Sequence, residues 1–270
     1  MSDQHFYSDI RFWQFAVAFI ALLLTQLPPV RLWFKRAKLD VECFDRIVLD
    51  EEVGSPYAQW RLSITNTGGR EIRIQKITLA VARGQERREL VARGYFEKLS
   101  DQKPTLFTPF RLQPREEWGH GVNFVRIATR EAKQAFSRAA KAMKDNILTK
   151  RVGLPKDHPD IEADLPLVQP LLALFDADFF WMAGEYEVTL RIGTNVPKAD
   201  LSRSFRFTLF ESDSDQLRAH RDQFKFGNGV YYRLPPVEPH FAEVHSCRGA
   251  HLPACTGAVR ARRLSAGNAG

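Results

Sequence analysis

Residues able to do chemistry are few in this chain, and their spacing matches no recognised reaction centre. His120 lies in a Gly119-His120-Gly121 triplet, with Glu116 and Glu117 just upstream and Asp178 farther along. An imidazole beside a carboxylate is the minimal acid-base pair, so proton transfer could be staged there if the fold brought the groups together. The chain has no G-x-S-x-G elbow, no phosphate-cradling G-x-x-x-x-G-K-S/T, no G-x-G-x-x-G and no H-E-x-x-H. Near its end stand His240, His245, Cys247, His251 and Cys255, residue types that ligate zinc, at a spacing that fits no established zinc pattern. The expectation is a protein that is not an enzyme, with no catalytic residue, cofactor, metal or small-molecule substrate.

The elements that must carry these residues follow from composition and pattern. At 270 residues, with 44% apolar and 26% charged residues, the chain is long enough for a proper core and too polar for a polytopic membrane protein. A formal net charge of +7 points to an anionic partner. A basic balance is also common on proteins with no such partner, and with no nucleic-acid-binding motif present, nucleic acid is not the expected one. The cysteines, Cys43, Cys247 and Cys255, form no even disulfide framework, which favours a reducing compartment.

Between Arg11 and Arg31 runs FWQFAVAFIALLLTQLPPV, an uncharged stretch whose length suits a helix crossing a hydrocarbon core of about 30 Å. A transmembrane helix is therefore expected over residues 12–30, with Phe12 and Trp13 at one interface, Leu22, Leu23 and Leu24 inside it, and Trp33 at the other interface. No small-x-small cleavage site precedes Arg31, which reads as a signal-anchor rather than a removed signal peptide. Residues 1–11 form the N-terminal flank, and residues 31–38 a basic juxtamembrane segment. Arg31, Lys35, Arg36 and Lys38 crowd that side, whereas Arg11 is the one basic residue on the other. The positive-inside bias then predicts a single-pass protein of a bacterial inner membrane with its C-terminal domain in the cytoplasm.

From Leu39 the apolar run gives way to short alternating segments separated by turn residues, the pattern of half-solvated antiparallel strands. Val41 and Cys43, then Trp60, Leu62 and Ile64, then Ile72, Ile74, Ile77 and Leu79 each recur at every second position, with a parity shift between Ile74 and Ile77 that predicts a bulge. Phe110 and Leu112, then Val122 and Phe124, continue the pattern after a gap, and Tyr186, Val188 and Leu190 with Phe205, Phe207 and Leu209 form the clearest pair. The TNTGG turn, the strand-Pro-turn around residues 112–118 and the G-x-Y opening at Tyr186 resemble an immunoglobulin-like or fibronectin-like β-sandwich, over residues 39–210. The resemblance implies a mainly β fold in which Tyr186 has a structural role, its hydroxyl bonding back to the preceding corner. The Cys…Trp…Cys set of antibody-type domains is absent.

A helical insertion is expected at about 128–183. ATREAKQAFSRAAKAMKDNILTKR is rich in helix formers and free of Pro and Gly. Ala132, Phe136, Ala139, Met143 and Ile147 form a narrow apolar stripe, opposite a basic face of Arg130, Lys133, Arg138, Lys141 and Lys144 that could meet an anionic surface. The apolar LLALFDADFFWM segment that follows reads as core, with Leu171, Leu174, Phe175, Phe179 and Trp181 beneath the helix. Residues 211–233 form a short helix and extension, and 234–270 a flexible tail. The resulting expectation is a membrane-tethered, non-catalytic interaction or assembly module. Its partners are the lipid bilayer and a protein of unknown identity. The alternative is a ligand-binding or sensory β-sandwich facing the extracytoplasmic side, with its pocket between the sandwich and the inserted helix.

Overall fold

The structure is a computed structural model that describes residues 10–26, 36–98, 101, 103–155, 160–232 and 239–247. The alternating segments pair into one antiparallel sheet. Its long strands are β1 (Leu39–Glu52), β2 (Ser55–Asn66), β3 (Ile72–Arg83), β4 (Glu86–Phe96), β7 (Glu117–Val125), β8 (Gly184–Thr194) and β9 (Leu201–Leu209). β5 (Thr105–Leu106) and β6 (Phe110–Leu112) are short additions to β4 and β3. The path runs β1-β2-β7-β4-β3-β8-β9 and is drawn together by one C-terminal stretch. Its first half, β10 (His240–Glu243), pairs with β1 over Arg46 to Leu49; its second half, β11 (His245–Ser246), pairs with β9 at Arg206 and Phe205. The result is a nearly closed barrel.

This corrects the sandwich expectation. A sandwich needs a break between two sheets, and the strand that removes the break is β4. Its first half pairs with β3 (Val91 opposite Thr78) and its second half with β7 (Tyr95 opposite Val122). The sequence of β4, ERRELVARGYF, is charged at its start and lacks a clean alternation, so the apolar pattern did not reveal it. The sandwich and the barrel share the same inward alternation along each strand; only the pairing distinguishes them. A register shift does fall between Ile74 and Lys76 in β3, where the strand leaves β6 for β4.

The transmembrane expectation is corrected as well. α1 (Ile10–Gln26) has 17 residues, which at 1.5 Å per residue extends about 25 Å, short of a hydrocarbon core of about 30 Å. No helix among the described residues is long and apolar enough to cross a membrane. The single-pass and signal-anchor readings, and the inner-membrane location with a cytoplasmic domain, fall with it, because the charge bias orients only a segment that spans. Trp13 and Leu22 lie on α1 and are exposed; Phe12, Leu23 and Leu24 also lie on it, their side chains outside the described set. Trp33, Arg31 and Lys35 lie outside the described residues. Arg36 and Lys38 are exposed, and their carbonyls accept the amides of Gly69 and Gly68. A Cβ on Gly68 would meet the Arg36 carbonyl oxygen at 2.5 Å, so glycine permits that close approach.

The barrel interior is filled by Trp60, Leu62, Ile64, Ile77, Leu79, Phe124, Leu190 and their neighbours, all essentially without solvent exposure. Asn66, fully buried at the end of β2, donates from its amide to the carbonyls of Arg70 and Leu112 and accepts the Gly68 amide, so no polar atom of the turn is stranded. Between β7 and β8 the chain forms α2 (Arg130–Arg151) and α3 (Leu165–Asp178), and after β9 α4 (Glu211–Ala219) and a 3-10 turn, His220–Phe226. Thr129 caps α2 by accepting the Ala132 amide. These helices have a second, smaller core of Met143, Ile147, Val168, Leu171, Phe175 and Phe224, outside the barrel.

Candidate functional site

The helical layer does not lie flush on the barrel. A cleft of about 600 Å³ opens between α2, α3, the β1–β2 turn and the segment Gly229 to Tyr232. Its floor and one wall come from the turn, where Val53 and Gly54 are the two loop residues between the paired Glu52 and Ser55. Both have positive φ, +50° for Val53 and +82° for Gly54. A two-residue hairpin loop of this kind favours Asn-Gly, and a β-branched residue there is strained. Gly54 is obligatory for a second reason: a Cβ would meet the Phe175 carbonyl oxygen of α3 at 2.4 Å. The turn is thereby pressed against α3, and Val53 joins the helical core while lining the cleft.

The opposite wall is α2. Phe136 and Ala132, on its apolar stripe, face the cleft, and Leu174 and Ala177 of α3 complete an apolar trough with Val230 and Tyr231. Polar groups share the lining: Glu52 and Ser55 beside the turn, Arg126, Lys133 and Asp178, and the two tyrosines. Arg126, just past β7, pairs with Asp178 at the end of α3 at 2.7 Å, both partly shielded, and this bond ties the barrel to the helices. Lys133 is exposed at the mouth. Burial raises the hydroxyl pKa of Tyr231 and, beside it, of Tyr232, whose hydroxyl donates to the Phe226 carbonyl at 3.2 Å. Lys144 lies 5.8 Å from the Tyr231 ring centroid.

Of the five basic residues singled out on α2, Arg130, Lys133, Arg138, Lys141 and Lys144 are all exposed, and none forms a salt bridge among the described residues. The acidic segment after the helix reaches Lys150 instead, whose ammonium bonds Asp164 at 2.7 Å. That bond and one from Asn146 hold the Asp164 carboxyl below its ordinary range. Tyr186 is buried and stacked on Phe207 at 4.9 Å, and its hydroxyl is shared between the carbonyls of Met182 at 2.6 Å and Phe180 at 3.0 Å.

His120 sits at one end of the barrel among Tyr95 and Trp118, its Nδ1 3.1 Å from the Phe96 carbonyl oxygen. The carboxylates considered for it are engaged elsewhere: Glu117 accepts from Ser63, Glu116 from the Gln113 amide, and Asp178 from Arg126. Cys43 is partly buried, and burial pushes its thiol up to about 12, so it stays an unreactive thiol near neutrality. The zinc-type residues of the C-terminal stretch are separated: His240 is in β10, His245 in β11 and Cys247 follows it, while His251 and Cys255 lie outside the described residues.

The cleft was not visible as residues in sequence, because its lining comes from five separate segments. The one available signal was the pairing of an inserted amphipathic helix with an over-rich aromatic run.

No family model matches the chain, and no curated protein matches it. Among solved structures it is similar to a solution structure described as a late embryogenesis abundant (LEA) protein, at 10% identity over 76% of this chain and 91% of that one. The TM-score of 0.28 is too low to define a common fold.

Proposed function

We propose that this protein is a non-catalytic binding module whose ligand occupies the cleft between the helical pair and the barrel rim. The ligand class is an elongated apolar or aromatic body carrying one acidic group. The observation that supports this reading is the cleft itself. Its volume of about 600 Å³ lies in the range of small-molecule sites, and its lining is mostly apolar with several polar groups. Lys133 supplies a positive charge at the mouth, Tyr231 supplies a hydroxyl donor, and Phe136, Leu174 and Val230 supply the apolar trough. A concave site of this kind favours a ligand-holding role over a purely flat docking face.

The test is a titration with the aromatic anion 1-anilinonaphthalene-8-sulfonate, read by fluorescence at neutral pH. Stoichiometric binding that Leu174→Trp abolishes and Lys133→Glu weakens, with both variants retaining the wild-type unfolding midpoint, is the expected result. Equal binding by the filled and unfilled cleft would sink the reading. A second reading rests on the exposed Arg130, Arg138, Lys141 and Lys144, which form a basic face suited to an acidic protein partner. Association that weakens steeply with salt and disappears on charge reversal of these four would favour it.

A further inference from the structure

At the far end of β1, just before the cleft's turn, a second cluster gathers from two remote parts of the chain. Asp50 and Glu51 come from β1 and His220 from the start of the 3-10 turn after α4. One donor atom from each lies within 4.8 Å of the others. His220 Nδ1 is 3.5 Å from Glu51 Oε1 and 3.9 Å from Asp50 Oδ1. Three donors each about 2.1 Å from a tetrahedral zinc ion stand about 3.4 Å apart, so the two distances from His220 are within about half an ångström of that spacing, and the two carboxylates, within 4.8 Å of each other, would close on the ion by side-chain rotation.

The two carboxylates are also held by hydrogen bonds from neighbouring backbone, as the carboxylate ligands of a metal commonly are. Glu51, with a side chain only 3% exposed, has one oxygen, Oε2, fixed by the Gly54 amide at 2.6 Å, and its Oε1 lies 3.5 Å from His220 Nδ1. Asp50 Oδ1 accepts the Glu51 amide at 2.8 Å, and the Asp50 carbonyl accepts the indole N–H of Trp181 at 2.6 Å, anchoring the strand at that point. His220 is 33% exposed, so the cluster is reachable from solvent on one side. His240 of β10 stands nearby, its ring centroid 5.8 Å from that of His220.

We infer that Asp50, Glu51 and His220 form a binding site for a divalent transition-metal ion, with His240 close to His220. The donor set selects the metal class. An imidazole with two carboxylates suits zinc and its neighbours, whereas calcium takes six to eight oxygens and magnesium few protein ligands beyond carboxylates. The ion would clamp β1 to the segment after α4 at the point where β10 closes the barrel, two residues before the strained turn of the cleft. The site is independent of any ligand in that cleft.

The experiment is a calorimetric titration of the chelator-treated full chain with zinc chloride, paired with X-ray absorption of the loaded protein. One ion per chain is expected, in a shell of nitrogen and oxygen at about 2.0–2.2 Å with no sulfur. Glu51→Gln and His220→Ala each weaken binding at least about tenfold, whereas Cys247→Ser leaves it unchanged. Because Glu51 is buried, unfolding curves of each variant without zinc establish that it folds, and His220→Ala, at a half-exposed position, carries the test if Glu51→Gln does not fold. A sulfur shell near 2.3 Å, undiminished binding by His220→Ala, or no stoichiometric binding by the wild type overturns the inference. None of these outcomes depends on occupancy of the cleft, so the two proposals fail separately.

Discussion

The barrel interior and the helical layer beside it are built from similar side chains and held in different ways. In the barrel, Trp60, Leu62, Phe124, Leu79 and Leu190 are sealed from solvent, and every long strand has a hydrogen-bonded neighbour on each side over at least part of its length. The indole of Trp60 donates to the Phe44 carbonyl across the β1 bulge and meets the edge of Phe205 at 4.8 Å, so one residue ties three parts of the wall. In the helical layer the sealed residues are fewer, and the margins depend on charge pairs at the surface: Lys150 with Asp164, Arg221 with Asp176, and Lys225 with Glu162. Exposed pairs contribute little each. The difference teaches that the barrel is the cooperative unit and the helical layer the part able to yield, which is where binding sites are commonly found.

The largest expected effect tests the barrel. Trp60→Ala removes a fully buried indole and is expected to lower global stability by about 3–5 kcal/mol, seen as a shifted urea midpoint at unchanged slope. Met143→Ala empties the helical core, and its expected cost of about 2–3 kcal/mol should fall on the layer alone. Amide exchange should accelerate in α2 and α3 while the central strands keep their protection; equal loss in the strands would erase the distinction between the two regions. Tyr186→Phe deletes the hydroxyl that secures the segment joining the layer to β8, leaving buried carbonyls at Phe180 and Met182. An unfolding midpoint lower by about 1 kcal/mol is expected.

Smaller effects sharpen the boundary. Val53→Asn replaces a strained β-branched residue by one suited to its positive φ, and a gain of about 0.5 kcal/mol is expected from chemical denaturation, with some packing lost. The least is at Asp164. Its carboxyl titrates lower in the folded protein than its ordinary 3.8 because Lys150 and Asn146 bond the charged form. The unfolded chain therefore binds more protons in that window, and the stabilisation is complete above the ordinary value and lost as pH falls through the folded one. Asp164→Asn should flatten the acid dependence of α2–α3 exchange and leave that of the barrel unchanged.

Several features were legible from residue order alone. The alternation at Trp60 to Ile64 and at Tyr186 to Leu190, the parity shift near Ile74, and the stripe from Phe136 to Ile147 are local periodicities, and local periodicity follows from backbone geometry within one segment. The same reasoning misled at α1, where continuous apolarity suggested a span but the helix among the described residues is too short for one. A pocket beside the inserted helix was an expectation, but the residues that line the cleft and the acidic-histidine cluster were illegible for a different reason. Val53, Lys133, Leu174 and Tyr231 come together only when four segments pack, and Asp50 meets His220 only after the chain has circled the barrel.

The sequence by itself determined that this chain forms strands with an apolar inner face and an inserted amphipathic helix, because side-chain period dictates which face is buried. Tertiary structure alone decided that the strands close into a barrel, through β4 and the C-terminal pair β10 and β11. Inward alternation is identical in a sandwich and a barrel; the choice rests on which backbone edges find partners, and those hydrogen bonds carry no mark in side-chain order.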